Sequence, residues 1–243
     1  MCAAPPDGEK TQRPRRSLHG RRKGRPIRAA RQRLLDTLLP RLELNLEAAA
    51  GDPTGQFVPT PAALWLEIGF GGGEHLAWQA EQNPNVGIIG AEFFINGVGN
   101  LLKLVEDANL KNVRIHKGDA RDLLDRLPEQ TIDRAFILFP DPWPKAKHNK
   151  RRIVQKQTLD RLAELLKTGA ELRIATDDPS YRRWILAAAT DHPWFDWNVE
   201  VPGDWRRRSD DWPPTRYEEK ALAAGRQPVY LRFTRRAKMR EST

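Results

Sequence analysis

Cysteine is almost absent from this chain of 243 residues, because Cys2 is the only one. A single thiol excludes an internal disulfide and any zinc site built from a cysteine cluster, and we expect no metal centre. Long apolar runs are also lacking, since none approaches the ~18 residues that a membrane-spanning helix needs. The first residues are followed by charge and not by the apolar segment of a secretory signal. We therefore expect a soluble, cytoplasmic protein that contacts no membrane.

Acidic residues are scarce at the start of the chain. The formal net charge is +9, and residues 1–33 contain eleven Lys or Arg against two acids. This segment accounts for the whole excess and leaves residues 34–243 balanced. A basic segment on a neutral body is typical of proteins that bind polyanions, although a solvated solubility tail is the plain alternative. We predict a flexible N-terminal arm over 1–33 and a single folded domain over 34–243.

Two apolar spacings alternate along the rest of the chain. Short buried-strand patterns lie at 64–68, 86–91, 113–116, 135–138, 171–175, 195–201 and 229–233. Segments with helical spacing separate most of them, and Gly169 is predicted to end the helix that contains Leu165 and Leu166. The segment with Trp205, Arg206-Arg207-Arg208 and Trp212 is predicted to be a basic, aromatic loop that is too polar for the core. The alternation predicts a mostly parallel seven-stranded sheet with helices on both faces.

Five successive predicted strands end in or beside a carboxylate. These acids are Glu67, Glu92, Asp119, Asp141 and Asp177. One such acid alone is more often a helix cap or a surface charge. In parallel sheets, however, ligands bind at the carboxyl ends of the strands. The five acids together therefore indicate a site at that edge of the sheet.

A glycine loop, Gly69-Phe70-Gly71-Gly72-Gly73, follows the first strand. Its outline resembles a dinucleotide fingerprint, but Glu74 occupies the last glycine position and Glu67 lies upstream, so acids would repel a pyrophosphate. A nucleoside ligand with a cationic amino group and a sulfonium fits better, because carboxylates pair with cations and Glu92 can accept hydrogen bonds from ribose hydroxyls. We therefore predict S-adenosylmethionine, bound in a Rossmann-like class I methyltransferase fold. Class geometry suggests that Asp119 recognises the adenine amino group and that Ala120 leaves room for the ring.

The segment 139–145 carries three prolines around Asp141. Proline fixes its own φ and favours an extended conformation at the residue before it, so Asp141 should lie at a stiff tip where a strand has ended. A basic run follows, with no acid among residues 142–159; it comprises Lys145, Lys147, Lys150, Arg151, Arg152 and Lys156. This pattern predicts a surface that contacts phosphates beside the methyl donor.

The segment Phe139-Pro140-Asp141-Pro142-Trp143-Pro144-Lys145, with His148 and Lys150-Arg151-Arg152 after it, resembles the signature of the tRNA (guanine-N7-)-methyltransferase family. Thr215-Arg216-Tyr217-Glu218 resembles the C-terminal motif of that family, and the resemblance covers residues 15–235. It implies methyl transfer from S-adenosylmethionine to N7 of a guanosine in the variable loop of tRNA, at position 46. The residues implied for the donor are Glu67, Gly69, Gly71, Glu92, Asp119, Ala120 and Asp141. Those implied for the substrate are Lys145, Asp177, Thr215, Arg216, Tyr217 and Glu218, and those for the RNA backbone are Lys147, Lys150, Arg151 and Arg152.

Asp141 is expected to have the central catalytic role, as the residue that orients the guanine edge and stabilises its charge. Guanine N7 carries no proton, so catalysis should come from positioning and from a carboxylate environment suited to the cationic product. Two alternatives stay open. One is a nucleic-acid methyltransferase that acts on an exocyclic amine, because Pro-Asp-Pro-Trp superficially resembles the motif of that class. The other is a non-catalytic RNA-binding protein that retains the fold. Either a monomer or a homodimer is compatible with the sequence.

Overall fold

Strands and helices alternate along residues 24–237, the part of the chain that this computed structural model describes. The elements are α1 (Ala29–Thr37), α2 (Leu39–Leu42), α3 (Leu46–Ala49), a 3₁₀ turn (Thr54–Gln56), β1 (Ala63–Ile68), α4 (Glu74–Gln82), β2 (Val86–Ala91), α5 (Ile95–Asp107), β3 (Val113–His116), α6 (Ala120–Arg126), β4 (Ile132–Leu138), a second 3₁₀ segment (Ala146–Arg151), α7 (Lys156–Leu165), β5 (Leu166–Thr176), α8 (Pro179–Thr190), β6 (Phe195–Trp197), α9 (Arg216–Ala223) and β7 (Val229–Arg235).

One seven-stranded sheet organises the chain, with the strand order β3-β2-β1-β4-β5-β7-β6. Strands β1 to β5 are parallel, and β7 pairs antiparallel with both β5 and β6. The prediction of a mostly parallel sheet of seven strands is confirmed. The strand order reverses between β1 and β4, and the crevice at such a reversal is where ligands bind in open parallel sheets.

Two apolar layers cover the sheet. On one face α1, α4 and α5 contribute Leu34, Leu76 and Val98 to a buried cluster, and on the other face α6, α7 and α8 contribute Leu123, Leu159 and Ile185. The central strand β4 is apolar along Ala135-Phe136-Ile137, all of which are buried, because both of its faces are covered. The predicted placement of helices on both faces is therefore confirmed.

The N-terminal boundary that we predicted at residue 33 falls inside α1, which begins at Ala29. The residues just before this helix are attached to α5, since the Gly24 N–H donates to Asn96 Oδ1 (2.7 Å) and Asn96 Nδ2 donates to the Arg25 carbonyl (2.8 Å). Residues 29–33 thus belong to the folded helix. The rest of the predicted arm, 1–23, lies outside the described residues.

Two other sequence predictions are wrong. Helix α7 ends at Leu165 and Leu166 begins β5, so Gly169 lies within a strand and ends no helix. Apolar residues adjacent in sequence fit a helix and a buried strand equally well, so periodicity alone cannot place this boundary. The polar segment after β6 was predicted to stay out of the core, yet Trp212 is fully buried there, against His75 and Tyr230.

Within residues 24–237, no helix combines the length and the apolar character that crossing a bilayer requires. The same residues contain no group of three or more His, Cys, Asp or Glu side chains arranged to hold a metal ion.

Candidate active site

A cavity of about 730 Å³ opens at the carboxyl ends of β1, β2 and β4, where the strand order reverses. The predicted site residues that line it are Gly69, Gly71, Glu92, Asp119, Ala120, Asp141, Lys150, Arg151, Arg152, Arg216 and Tyr217. The parallel sheet brings these residues together because its strands all end at one edge. The site predicted at that edge is therefore present as a cavity.

The glycine loop between β1 and α4 forms one wall of this cavity. Gly71 has a φ of +55°, and a Cβ there would lie 2.9 Å from the Tyr217 ring. Helix α5 approaches the same loop closely, since a Cβ on Gly97 would lie 2.0 Å from the Gly71 carbonyl oxygen. Gly71 thus serves the conformation of the loop and the close approach of α9, while Gly97 allows the close approach of α5.

Glu92 is a buried carboxylate held by three backbone N–H groups. Its Oε2 accepts from the Gly71 N–H (2.9 Å), and its Oε1 accepts from the N–H groups of Phe93 (2.8 Å) and Phe94 (2.9 Å). Burial nevertheless raises the pKa of Glu92, and the nearby charge of Asp141 adds to the rise. The carboxylate is fixed in orientation and retains lone pairs for a ligand in the cavity.

Asp119 caps α6 and lies beside a cavity residue that the sequence did not indicate. Its Oδ1 accepts from the Arg121 N–H (3.0 Å) and from Arg121 Nε (3.0 Å). These hydrogen bonds raise the pKa of the Arg121 guanidinium. The predicted recognition of an adenine amino group by Asp119 would therefore take place beside a guanidinium.

The loop around Asp141 is curled and not extended. Phe139 and Trp143 have φ values of +51° and +43°, although each precedes a proline and was predicted to be extended. Proline disfavours the right-handed helical region at the residue before it, and these two residues adopt the left-handed region instead of the extended one. Such conformations are strained for bulky residues and concentrate at functional sites.

Asp141 itself lies at the mouth of the cavity, between these two strained residues. Surrounding protein atoms partly desolvate its carboxylate and raise its pKa, and no hydrogen bond within residues 24–237 offsets this effect. Asp141 thus lines the cavity, and its surroundings disfavour the ionised form of its carboxyl group.

The basic run after Asp141 divides into exposed and buried cations. Lys145, Lys147 and Lys150 are exposed, and the Arg151 guanidinium lies 4.9 Å from the centre of the Trp143 ring, at the cavity wall. Arg152, by contrast, is 3% exposed, and its Nε donates to the Pro142 carbonyl (2.8 Å). The prediction that Arg152 contacts the RNA backbone is corrected, because its guanidinium is enclosed by protein.

The residues of the C-terminal motif, 215–218, also divide into buried residues and residues that line the cavity. Thr215 caps the helix, its Oγ1 accepting from the Glu218 N–H (3.2 Å), and Glu218 Oε1 accepts from the Tyr230 hydroxyl (2.7 Å). Both residues are buried, whereas Arg216 and Tyr217 line the cavity. Residues three apart share a helix face, which places positions 215 and 218 inward. The predicted substrate contacts are therefore brought to the cavity only at 216 and 217.

Four other predicted site residues do not line the cavity: Glu67, Lys145, Lys147 and Asp177. Glu67 is buried and accepts from His75 Nδ1 (2.7 Å), and Asp177 pairs with Arg226 (2.6 Å). Lys145 is exposed outside the cavity wall. No sequence signal indicated the His75 partner of Glu67, because the contact depends on how α4 packs beside β1.

Several residues that the sequence did not indicate as site residues also line the cavity. They include Ile68, Ala91, Phe93, Phe94, Gly118, Arg121, Leu138, Arg161 and Lys220. Phe93 and Phe94 directly follow Glu92, and Lys220 lies one helical turn after Arg216. Their closeness to predicted site residues could therefore have indicated that they line the cavity. Arg161 projects from α7, and nothing in the sequence linked it to the site. Altogether, the cavity is lined both by carboxylates, of which Glu92 contacts the glycine loop, and by cations of the second 3₁₀ segment and of α9.

Comparison with known proteins is consistent with this geometry. Residues 61–231 match the family model described as a putative methyltransferase. The tRNA (guanine-N(7)-)-methyltransferase of Rhodospirillum rubrum is 52% identical over 223 residues, which cover 90% of this chain and 88% of that protein. The protein of the same name from Roseobacter denitrificans is 50% identical over 233 residues, covering 93% of this chain and 99% of its own length.

Two solved structures share the architecture at low sequence identity. An antibiotic related methyltransferase aligns with a TM-score of 0.52 and 16% identity, covering 76% of this chain and 94% of its own. An rRNA methylase from Streptococcus thermophilus aligns with a TM-score of 0.51 and 12% identity, covering 72% of this chain and 87% of its own. At such identities the likeness concerns the fold alone, and the predicted Rossmann-like class I methyltransferase fold is confirmed.

Proposed function

Because the chain belongs to the family of tRNA (guanine-N(7)-)-methyltransferases, we propose that it transfers a methyl group from S-adenosylmethionine to N7 of a guanosine at position 46, in the variable loop of tRNA. One observation carries the proposal beyond membership of the family. The cavity at the end of the sheet is lined by the carboxylates Glu92, Asp119 and Asp141 and by cations of the second 3₁₀ segment and α9, which suits a cationic donor and a polyanionic acceptor.

The residues of the inner cavity fit S-adenosylmethionine, which when bound supplies a methyl group attached to a positively charged sulfur. Glu92 offers a fixed carboxylate to ribose hydroxyls, because three backbone N–H groups hold it in place. Gly69 lines the cavity, and a Cβ on it would meet nothing within 4 Å, so the loop leaves open space there. Asp119 and Ala120 form the wall assigned to the adenine.

Asp141 is the residue to which we assign the central role. Guanine N7 has a lone pair in the plane of the base and carries no proton, so the chain needs no general base at that atom. A carboxylate at the mouth can orient the guanine edge and stabilise the positive charge that the base acquires. Partial desolvation of Asp141 strengthens both interactions, because charges interact more strongly where water is excluded.

We assign RNA contacts to the exposed cations around the cavity mouth. Lys145, Lys147 and Lys150 are exposed, and Arg151, Arg216 and Lys220 line the entrance. A second group lies on α8 and the following loop, where the guanidinium groups of Arg182 and Arg206 lie 5.8 and 4.7 Å from the centre of the Trp205 ring. Exposed guanidinium groups beside an aromatic ring are suited to phosphates and unpaired bases.

The proposed function is tested by methylation of an unmodified tRNA transcript with labelled donor. Borohydride reduction and aniline cleavage then map N7-methylguanosine, and we expect a single cut at position 46. A transcript with adenosine at that position serves as the matched control and should accept no label. Label recovered as N6-methyladenosine would support the exocyclic-amine alternative, and binding of tRNA without turnover would support a non-catalytic RNA-binding protein.

A further inference from the structure

Arg152 is a buried cation that packs against the loop carrying Asp141. It is 3% exposed, and its Nε donates to the Pro142 carbonyl (2.8 Å) while Nη2 donates to Ser180 Oγ (3.1 Å). Its guanidinium carbon lies 4.9 Å from the centre of the Tyr181 ring and 5.0 Å from that of Trp184. One side chain thus connects the Asp141 loop to the first turns of α8.

The two rings that contact Arg152 are themselves fixed. The Tyr181 hydroxyl accepts from the Val154 N–H (3.1 Å), and Trp184 Nε1 donates to the Val154 carbonyl (2.7 Å). Tyr181 is fully buried, so its ring cannot move without repacking the core. The guanidinium therefore lies in a rigid aromatic slot whose position is set by α8.

The backbone around Pro142 needs such support. Pro142 directly follows Asp141 and has no N–H, so its carbonyl is the only hydrogen-bonding group that its backbone offers. Phe139 and Trp143, on either side, hold strained positive φ values, and strained backbone persists only where the surroundings fix it. A hydrogen bond from a charged guanidinium is among the stronger ones available for this purpose.

We propose that Arg152 is a positioning residue for methyl transfer. Its guanidinium, held by Ser180 and the rings of Tyr181 and Trp184, fixes the Pro142 carbonyl and thereby the Asp141 carboxylate one residue earlier. The inference rests on the proposed function, in which Asp141 faces the reacting base. The adjacent arginines thus differ in role although both line the cavity, since Arg151 is partly exposed there, whereas Arg152 is buried and its guanidinium donates to the loop and to α8.

The decisive variant is Arg152→Lys, which keeps the charge and loses the planar group. A lysine lacks the planar guanidinium whose nitrogens donate to both the Pro142 carbonyl and Ser180 Oγ. It also cannot stack on the rings of Tyr181 and Trp184. We expect kcat at saturating tRNA to fall about 10²-fold, because small misplacement of a reacting group has effects of that size. The dissociation constant for tRNA should change less than twofold, and its dependence on salt should match wild type.

Two comparison variants separate positioning from RNA contact. Lys150→Gln removes an exposed cation at the cavity mouth and should reduce the slope of log K against log salt by about 0.7 to 0.9. Lys103→Gln removes a cation that pairs with Asp107 on the surface of α5, and should leave that slope unchanged. The proposal is overturned if Arg152→Lys retains the wild-type kcat, or if it reduces the salt slope as Lys150→Gln does.

Ser180→Ala keeps the test decisive if Arg152→Lys does not fold. It removes only the hydroxyl that accepts from Arg152, and we expect a several-fold loss of kcat with unchanged affinity for tRNA. An unchanged kcat would then overturn the proposal. The kcat and the affinity for tRNA of each variant are expressed as ratios to the wild-type values measured with the same RNA. Failure of the wild type to form N7-methylguanosine would contradict the proposed function instead, so the two failures are distinguishable.

Discussion

At the scale of single residues, two carboxylates of the cavity have surroundings that oppose their ionisation. Burial raises the pKa values of both Glu92 and Asp141, and the charge of Asp141 contributes to the rise at Glu92. A carboxyl group whose pKa is higher in the folded than in the unfolded state binds protons more readily when folded. The folded protein therefore loses some stability as pH rises from the pKa of the carboxyl group in the unfolded state to its higher pKa in the folded state. Ionisation of either carboxylate thus opposes folding, which is expected of groups that serve binding or catalysis.

Asp141→Asn tests this interpretation, because it keeps the shape of the side chain and removes its charge. We expect kcat to fall about 10²- to 10³-fold, the usual effect of removing one preorganised electrostatic group. The melting temperature near pH 7 should equal or exceed that of wild type. The difference in melting temperature between the variant and the wild type should shrink as pH falls, because protonated Asp141 in the wild type is uncharged as well. Methylation rates and thermal unfolding across a pH series provide the measurement.

The matched control for Asp141→Asn is Asp107→Asn, which neutralises an exposed acid paired with Lys103 on α5. That variant should keep the wild-type rate and change the stability little, because exposed ion pairs contribute little. A near-wild-type rate for Asp141→Asn would show that its charge has no role in the reaction.

At the scale of elements, the start of α5 determines the shape of the glycine loop. Gly97 has no room for a side chain, because its Cβ would lie 2.0 Å from the backbone oxygen of Gly71. Gly99, one half turn further along, has space, since a Cβ there would meet nothing nearer than 3.6 Å. The helix thus offers two glycines that differ in whether they touch the loop.

Alanine at these two positions should have opposite effects. Gly97→Ala should displace the loop, destabilise the protein by about 1 to 3 kcal/mol and weaken donor binding, because the clash involves backbone atoms. Gly99→Ala should raise stability by up to about 1 kcal/mol, as alanine favours a helix over glycine. Chemical denaturation and calorimetric titration with S-adenosylmethionine measure both effects. Equal behaviour of the two variants would contradict the close contact between α5 and the loop.

The segment between β6 and α9 is attached to the sheet by one ion cluster. Buried Arg173 donates to both carboxylate oxygens of Asp211 (3.0 and 2.6 Å) and to Glu171 (2.7 Å). The Asp211 carbonyl in turn accepts from Gln79 Nε2 (2.9 Å) on α4. Because Trp212 and the α9 cap follow directly, this cluster determines where Arg216 and Tyr217 meet the cavity.

Asp211→Asn should lower the free energy of unfolding near pH 7 by about 1 to 3 kcal/mol. Breaking a buried pair costs more, but Asp211 is half exposed and water screens part of its charge. The Arg173 guanidinium holds the pKa of Asp211 far below its usual value. This stabilisation is therefore present above the ordinary pKa of aspartate and is lost as pH falls. Urea unfolding at several pH values should show the difference from wild type closing on acidification; a constant difference would contradict the ion-pair account.

At the scale of the whole molecule, the sequence predicted those features that depend on order along the chain. Alternation predicted the sheet, and because parallel strands end at one edge it also predicted that five carboxylates would meet at one site. Of these, Glu92, Asp119 and Asp141 line the cavity, whereas Glu67 and Asp177 do not. Features that depend on contacts between distant residues escaped prediction. The neighbouring sequence does not distinguish Arg152 from Arg151. The two side chains differ in burial because α8 packs against Arg152. The position of Trp212 likewise depends on an ion cluster built from separate elements.

The distribution of charge over the whole chain leads to a final prediction, on residues 1–23. This segment holds seven basic residues against two acids, while residues 34–243 are balanced. Deleting it should weaken tRNA binding and flatten the dependence of log K on log salt by about 0.7 to 0.9 for each phosphate that the segment neutralises. Affinity for S-adenosylmethionine should be retained far better, because among residues 24–237 those that line the cavity begin at Ile68.

A second variant, of full length, replaces the seven basic residues of 1–23 with glutamine and separates charge from chain length. It should reproduce the flattened salt dependence of the deletion, because counterion release depends on cations and not on the length of the segment. Anisotropy titrations of labelled tRNA over a salt series, with calorimetric titration of the donor alongside, measure both quantities. If the deletion and the glutamine variant kept the wild-type salt dependence, the segment would not contact phosphates. The cations around the cavity mouth would then account for RNA binding on their own.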